Sequence, residues 1–347
     1  MKRKLDLTSS IKTEVFKDVA IIGAGPTGLF CVFEIGMLGM SSVVIDVLPH
    51  AGGQCAALYP QKPIYDIPAY PIISGAELVE NLIHQAAPFN PEYLLGTSVD
   101  SLVCDNNGMF TLTTQAGTIV HAKAVIIAAG CGAFGPNKPP LANIEEFEQT
   151  SVFYSVFDKS IFTDARVIIA GGGDSALDWT LALADIAQKV YVVHRRDHFR
   201  GMENTLKQIK VHEATGKVEF VIPYQLHKLK GTSGRLEEVE VIDLDQNIHV
   251  LKADFLLPFF GLKMNIGPIA DWGLGISAKH ILVEPGSMST NIPGIFAVGD
   301  IASYDGKLKL ILTGFAEAAR AAHSAYSIVF PDKALHFQYS TTKGVPS

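Results

Sequence analysis

The sequence predicts an α/β protein made of two Rossmann-like dinucleotide-binding domains. Two segments carry this prediction, Gly23-Ala24-Gly25-Pro26-Thr27-Gly28 and Gly171-Gly172-Gly173-Asp174-Ser175-Ala176. Each lies between a β-branched apolar stretch and an apolar stretch of helical spacing, the context in which a glycine loop receives a pyrophosphate. The third observation is length, since 347 residues suit about two domains.

The elements follow from the chain in order. Residues 18–22 read as a buried parallel strand, and the first glycine loop turns into a helix that runs to about Gly39. A second strand occupies 42–46. Residues 51–71 are rich in Gly, Pro and Tyr and are expected to form a long ordered loop. Ser74-Gly75-Ala76-Glu77 is a capping box, opening a helix that ends before Pro88. Strands at 98–105 and 109–115 flank the hairpin turn Asn106-Asn107-Gly108, and another strand spans 125–129. A Gly-, Pro- and Asn-rich stretch at 130–140 marks a crossover between domains. The second strand–loop–helix–strand unit runs from 166 to 194, with further strands at 219–222, 235–243 and 254–259. A strand at 295–300 ending in Gly299-Asp300, a long helix at 312–330 and a tail at 334–347 complete the chain.

Composition narrows the function classes. A hydrophobic content of 48%, with 18% charged residues, describes an ordinary globular core. A formal charge of -7 lacks the basic footprint of a nucleic-acid or anionic-membrane binder. Lys2, Arg3 and Lys4 open the chain, but no presequence or secretory apolar region follows them. The longest apolar stretch, 19–33, is broken by Gly23, Gly25, Pro26 and Gly28, so no membrane span is expected there, and a cysteine pattern without sign of an oxidising compartment makes the cytoplasm the expected location. Cys31, Cys55, Cys104 and Cys131 are isolated, with no Cys-x-x-Cys, and the histidines show no ligand spacing; no metal is expected.

The chemistry lies at the loops and the strand ends after them. Gly23, Gly25 and Gly28 supply the tight turn, the close approach and the helix packing that a pyrophosphate requires, with Thr27 beside them. Asp46 ends the following strand, where a carboxylate accepts hydrogen bonds from ribose hydroxyls. In the second unit Gly171, Gly173 and Ala176 take the same positions, with Asp174 and Ser175 between them. His194-Arg195-Arg196 stands where the second acid would be. Two guanidinium groups there suit the 2′-phosphate of NADPH, by bidentate charge-assisted bonds. Two complete loops imply two dinucleotides, a flavin and a nicotinamide.

Together with Ala297-Val298-Gly299-Asp300, these segments resemble the thioredoxin-reductase-like flavoproteins, which implies a discontinuous FAD domain at 1–128 and 288–347 with the NADPH domain, 129–287, inserted into it. Thioredoxin reductases carry Cys-x-x-Cys shortly before the second glycine loop. Here the stretch is Tyr154-Ser155-Val156-Phe157-Asp158, which cannot relay a dithiol. What remains resembles the ferredoxin/flavodoxin–NADP⁺ reductases built on this fold, through Leu58-Tyr59-Pro60, Gly173-Asp174-Ser175-Ala176-Leu177-Asp178-Trp179 and Tyr339-Ser340-Thr341-Thr342. The resemblance implies FAD and NADPH as cofactors, ferredoxin or flavodoxin as partner and a homodimer. It implies hydride transfer to flavin N5 followed by one-electron steps. It also implies residue roles. Tyr59 and Tyr339 stack on the two flavin faces, and Ser340 or Thr341 presents a hydroxyl near N5. Gln54 in Gly52-Gly53-Gln54 lies along the flavin, Val99 meets the adenine through its backbone, Phe134 lies at the crossover, and Asp300 bonds the ribityl chain. Cys55 is expected as a buried free thiol, and Lys307 and Lys309 as a basic patch for an acidic ferredoxin. Three other readings stay open: an NADPH-dependent reductase of a quinone, small disulfide or oxygen; a thioredoxin reductase with an unusual thiol; and a redox-sensing nucleotide binder without turnover.

Overall fold

The computed structural model describes residues 13–132, 135–335 and 340–345. The chain divides into two compact units, Met1–Ala133 with Met264–Ser347, and Phe134–Lys263. The boundary departs from the expected one. Residues 264–287 were expected with the second unit, but Ile269, Leu274 and Ile281 are buried in the core of the first. A short hairpin, Ile276–Ser277 with His280–Leu282, also pairs with Ala302–Ser303 of the first unit.

In the first unit seven strands form one sheet, ordered Glu92–Leu95, Ser42–Asp46, Glu14–Ile22, Ile119–Ile127, Phe110–Thr114 and Val99–Cys104. The strand Ile295–Ala297 also pairs with Ile119–Ile127. That long strand is shared along one edge: residues 119–122 pair antiparallel with 110–113, and 125–127 pair parallel with 295–297. The parallel centre is apolar on both faces, which is why Val19, Ala20 and Ile21 are fully buried. Helices Pro26–Met37 and Ile311–Val329 cover it. The expected capping box is present: Glu77 N–H donates to Ser74 Oγ, and Ser74 N–H donates to Glu77 Oε2 at 2.9 Å. Within the stretch expected as loop, Gly53–Ala57 forms a five-residue helix, and Pro63–Ile64 pairs with Ile73–Ser74.

In the second unit four parallel strands are ordered Val218–Val221, Lys189–Val193, Arg166–Ala170 and Phe255–Pro258. Arg166 clamps this sheet from one end: its guanidinium meets Asp254 at 2.6 and 3.0 Å, and its own N–H donates to the same carboxylate. A separate antiparallel sheet is made of Gln225–Thr232, Arg235–Ile242 and Ile248–Lys252. Its two flanking strands escape periodicity because most of their side chains are exposed, whereas the central strand buries Leu236, Val239, Val241 and Ile242. The helix Glu203–Ala214 is likewise silent in sequence, burying only Ile209.

Candidate functional site

The first glycine loop is shaped by backbone crowding. Gly23 has φ +111°, and a Cβ there would lie 2.3 Å from the Ala128 carbonyl oxygen. A Cβ on Gly28 would lie 1.9 Å from the Gly23 carbonyl oxygen, so the turn closes only with hydrogen at both positions. Gly25, by contrast, meets no atom closer than 3.9 Å. It is the N-cap of Pro26–Met37, and no side chain caps that helix. An open glycine before an uncapped helix start is the cradle a pyrophosphate fits.

Asp46 ends the adjacent strand as expected, but its carboxylate already holds two amides. Ala24 N–H donates to Oδ2 at 2.6 Å and Leu48 N–H to Oδ1 at 2.8 Å. Asp46 therefore builds the loop as well as facing its mouth. Burial pushes its carboxyl above the usual range despite these two bonds. Gly96 and Thr97 donate to Leu48 and Asp46 carbonyls, which brings the buried Val99 to the same strand end.

Gly52, in the left-handed region at φ +118°, donates its N–H to the Ala24 carbonyl, and a Cβ on Gly53 would lie 2.9 Å from Gly25 Cα. The Gly52-Gly53-Gln54 turn thus packs against the glycine loop itself. Cys55 is buried with Sγ 3.6 Å from the Tyr59 hydroxyl. Burial, with Asp300 nearby, raises both the Cys55 thiol and the Tyr59 phenol. Gln54 bonds Cys131, whose thiol burial also raises. Half-buried Asp300 sits in the turn Gly299–Ile301, and a Cβ on Gly299 would lie 3.2 Å from Thr27 Oγ1. Gly23, Gly25, Thr27, Gly28, Asp46, Gln54, Tyr59, Val99 and Asp300 therefore lie along one connected set of loops in this unit. Ser340 begins the short helix Ser340–Lys343, and Thr341 is exposed; no hydrogen bond joins Thr341 to the Tyr59 or Asp300 segments among the described residues. Tyr339 and Phe134 lie outside the described residues.

In the second unit Gly171 has φ +155°, and a Cβ there would lie 2.7 Å from the Phe259 carbonyl oxygen. A Cβ on Gly172 would enter the His194 ring at 2.3 Å, whereas Gly173 meets nothing within 4 Å. Gly173 is the uncapped N-cap of Asp174–Ala184. Ala176 is buried and Ser175 exposed. Asp174 is turned away from the loop, its Oδ1 accepting the Met202 N–H at 3.0 Å. His194 follows the strand Lys189–Val193 and stacks on Phe199 at 5.1 Å, its Nε2 buried without a partner. Burial lowers its pKa, and Arg196 and Arg200 push the same way. Arg195, Arg196 and Arg200 are all exposed, with no ion pair among the described residues. Arg200 was missed in sequence. Its backbone N–H donates to the Gly172 carbonyl at 2.8 Å, which ties the backbone of a third arginine to the loop.

Two further features depart from expectation. Lys307 does not belong to an exposed basic patch: it is 6% exposed and paired with Glu317, which is 1% exposed. Lys309 is exposed, with Nζ 2.7 Å from His280 Nε2. Glu317 itself was not singled out in sequence; the signal was a lone acid in an alanine-rich helix. Among the described residues no group of three His, Cys, Asp or Glu side chains is arranged to hold a metal, and no helix is long and apolar enough to cross a membrane.

Residues 17–325 match the pyridine nucleotide-disulphide oxidoreductase family. The ferredoxin–NADP reductase of Gluconacetobacter diazotrophicus is 57% identical over 330 residues, covering 95% of this chain and 96% of that relative. The ferredoxin–NADP reductase of Rickettsia canadensis is 56% identical over 326 residues, covering 94% and 96%. Among solved structures, the thioredoxin reductase of Lactococcus lactis is similar with a TM-score of 0.78 at 27% identity, covering 91% of this chain and 99% of that one.

Proposed function

Because this chain belongs to the pyridine nucleotide-disulphide oxidoreductase family and to the ferredoxin–NADP reductases, we propose that it passes electrons between NADPH and ferredoxin through a bound FAD. The observation that carries the reading is the contrast between the two strand ends. The first ends in a half-buried carboxylate that braces its own glycine loop; the second is followed by the exposed arginines Arg195 and Arg196, with Arg200 bonded to the loop through its backbone and none of the three in an ion pair among the described residues.

In this reading the first unit holds FAD. The start of Pro26–Met37, with Gly25 and Thr27, receives the pyrophosphate, Asp46 the adenosine ribose and Asp300 the ribityl chain. Val99 borders the adenine through its backbone. Gln54 and Tyr59 line the ring, and Tyr339, Ser340, Thr341 and Phe134 complete its surroundings. The second unit holds NADPH, with Gly171, Gly173, Ser175 and Ala176 at the pyrophosphate and Arg195, Arg196 and Arg200 on the 2′-phosphate. His194 supports them, and Asp174 acts indirectly through the Met202 amide. Bound FAD supplies the conversion between a two-electron hydride and single electrons. The protein has no acid–base step to perform, only binding, orientation and exclusion of water.

Nothing in the second unit supports a dithiol relay. Residues 134–263 contain no cysteine. At the position of the expected dithiol, Tyr154 bonds Glu148 at 2.8 Å and Val156 is buried. With Lys307 withdrawn into an ion pair, Lys309 is the exposed cation left in that segment to meet an acidic carrier. The same reading includes flavodoxin as an alternative acceptor, a homodimer and a cytoplasmic location. The test is anaerobic: the purified yellow protein is reduced with NADPH and then offered ferredoxin, flavodoxin and thioredoxin separately. Reoxidation by ferredoxin or flavodoxin is expected; reoxidation by thioredoxin alone overturns the assignment.

A further inference from the structure

We propose that Glu317 is a positioning residue for the flavin, holding Asp300 through the Gly299 amide; this rests on the FAD reading of the first glycine loop. Glu317 lies on the helix Ile311–Val329 and is 1% exposed. Its Oε2 accepts the Gly299 N–H at 2.7 Å. Its Oε1 accepts from the Tyr304 hydroxyl at 2.6 Å and from Lys307 Nζ. One carboxylate therefore fastens both ends of the 299–307 segment, with Asp300 directly beyond the fastened amide.

The chemistry explains why a carboxylate stands there. Gly299 has φ +74° at the start of a single turn, where the helical pattern leaves its N–H without a backbone acceptor. A buried amide in that condition costs free energy, so the acceptor must come from elsewhere. A carboxylate buried alone would cost more still, and the Lys307 and Tyr304 donors offset that cost. The fastening also reaches the pyrophosphate side. Thr27 is wedged between Gly299 and Gly314, with its hydroxyl 3.2 and 2.3 Å from where their Cβ atoms would lie. A shift of the Gly299 turn thus moves Asp300 and Thr27 together, the two groups assigned to opposite ends of the flavin's ribityl pyrophosphate.

The experiment separates positioning from plain stability with two double variants. In Glu317→Gln with Lys307→Met, the amide oxygen still accepts the Gly299 N–H and no charge is left unpaired. In Glu317→Met with Lys307→Met, packing volume is kept and the acceptor is lost. Apoprotein of each is titrated with FAD by flavin fluorescence, and its thermal midpoint is measured in parallel. The glutamine pair is expected to bind FAD within about threefold of wild type, and the methionine pair about tenfold or more weaker, at similar midpoints. Equal FAD affinity in both folded pairs overturns the proposal, as does a loss that only follows the midpoint. If the methionine pair does not fold, a folded glutamine pair that loses tenfold or more is itself enough to overturn it. Wild-type protein that binds no FAD would instead overturn the reading of the first loop, a separate outcome.

Discussion

Replacing both Arg195 and Arg196 with alanine tests the assignment of the second loop most directly. Both guanidinium groups are exposed, with no ion pair among the described residues, so their removal should not change the thermal midpoint. The whole effect then falls on the ligand. A hydrogen bond to a charged group contributes roughly 1.5–3 kcal/mol when well desolvated, while exposed ion pairs give about 0.2–1 kcal/mol. A partly exposed phosphate clamp lies between these, at about 1–2 kcal/mol per arginine. Loss of both therefore costs about 2–4 kcal/mol, roughly 30- to 700-fold in NADPH affinity. NADH, which lacks the 2′-phosphate, should bind within about twofold of its wild-type affinity. Dissociation constants for both nucleotides, measured by fluorescence titration at low and moderate salt, check this, and the NADPH loss should shrink as salt rises. Equal losses for NADPH and NADH would refute the clamp.

Two further outcomes follow from the loop geometry and from His194. Gly28→Ala should lower the thermal midpoint by about 6 °C or more, because its Cβ would meet the Gly23 backbone oxygen at 1.9 Å and neither group can yield cheaply. Gly173→Ala, at φ -100° with nothing within 4 Å, should leave the midpoint within about 2 °C of wild type and weaken NADPH binding. Thermal scans of the two alanine variants distinguish packing from ligand approach; a stable Gly28→Ala would contradict the first account. His194 has its pKa lowered by burial and by Arg196 and Arg200. The unfolded chain then takes up a proton that the folded one resists, so this residue's contribution to stability falls as pH drops below about 6.5. His194→Gln should therefore lose less midpoint than wild type between pH 7.5 and 5.5. An equal loss in both proteins would sink that assignment.

The parts of the fold legible in sequence were those dictated by neighbours along the chain. The capping box at Ser74 and Glu77 and the strand Ser42–Asp46 stand where local pattern put them. The antiparallel sheet of the second unit was only partly legible, because Gln225–Thr232 and Ile248–Lys252 expose most of their side chains and so show no one-sided apolar pattern. The five-residue helix Gly53–Ala57 was hidden in a glycine-rich stretch, since its start depends on Gly52 adopting φ +118° against the Ala24 carbonyl. The boundary near 264 was illegible because short strands acquire a unit only through the core they enter, here by way of Ile269, Leu274 and Ile281.

By itself the sequence determined that two glycine loops stand in strand–loop–helix units, that a carboxylate follows one and paired arginines the other, and that residues 134–263 hold no thiol. These are local facts, set by backbone freedom at glycine and by position at a strand end. Only the tertiary structure decided what each polar group is bonded to. It gave Asp46 the Ala24 and Leu48 amides, added Arg200 to the second loop, and withdrew Lys307 from the surface into the ion pair with Glu317. The physical reason is that a buried charge must find its partners in space, and Glu317 finds Gly299, Tyr304 and Lys307 only because the helix that carries it packs over their loop.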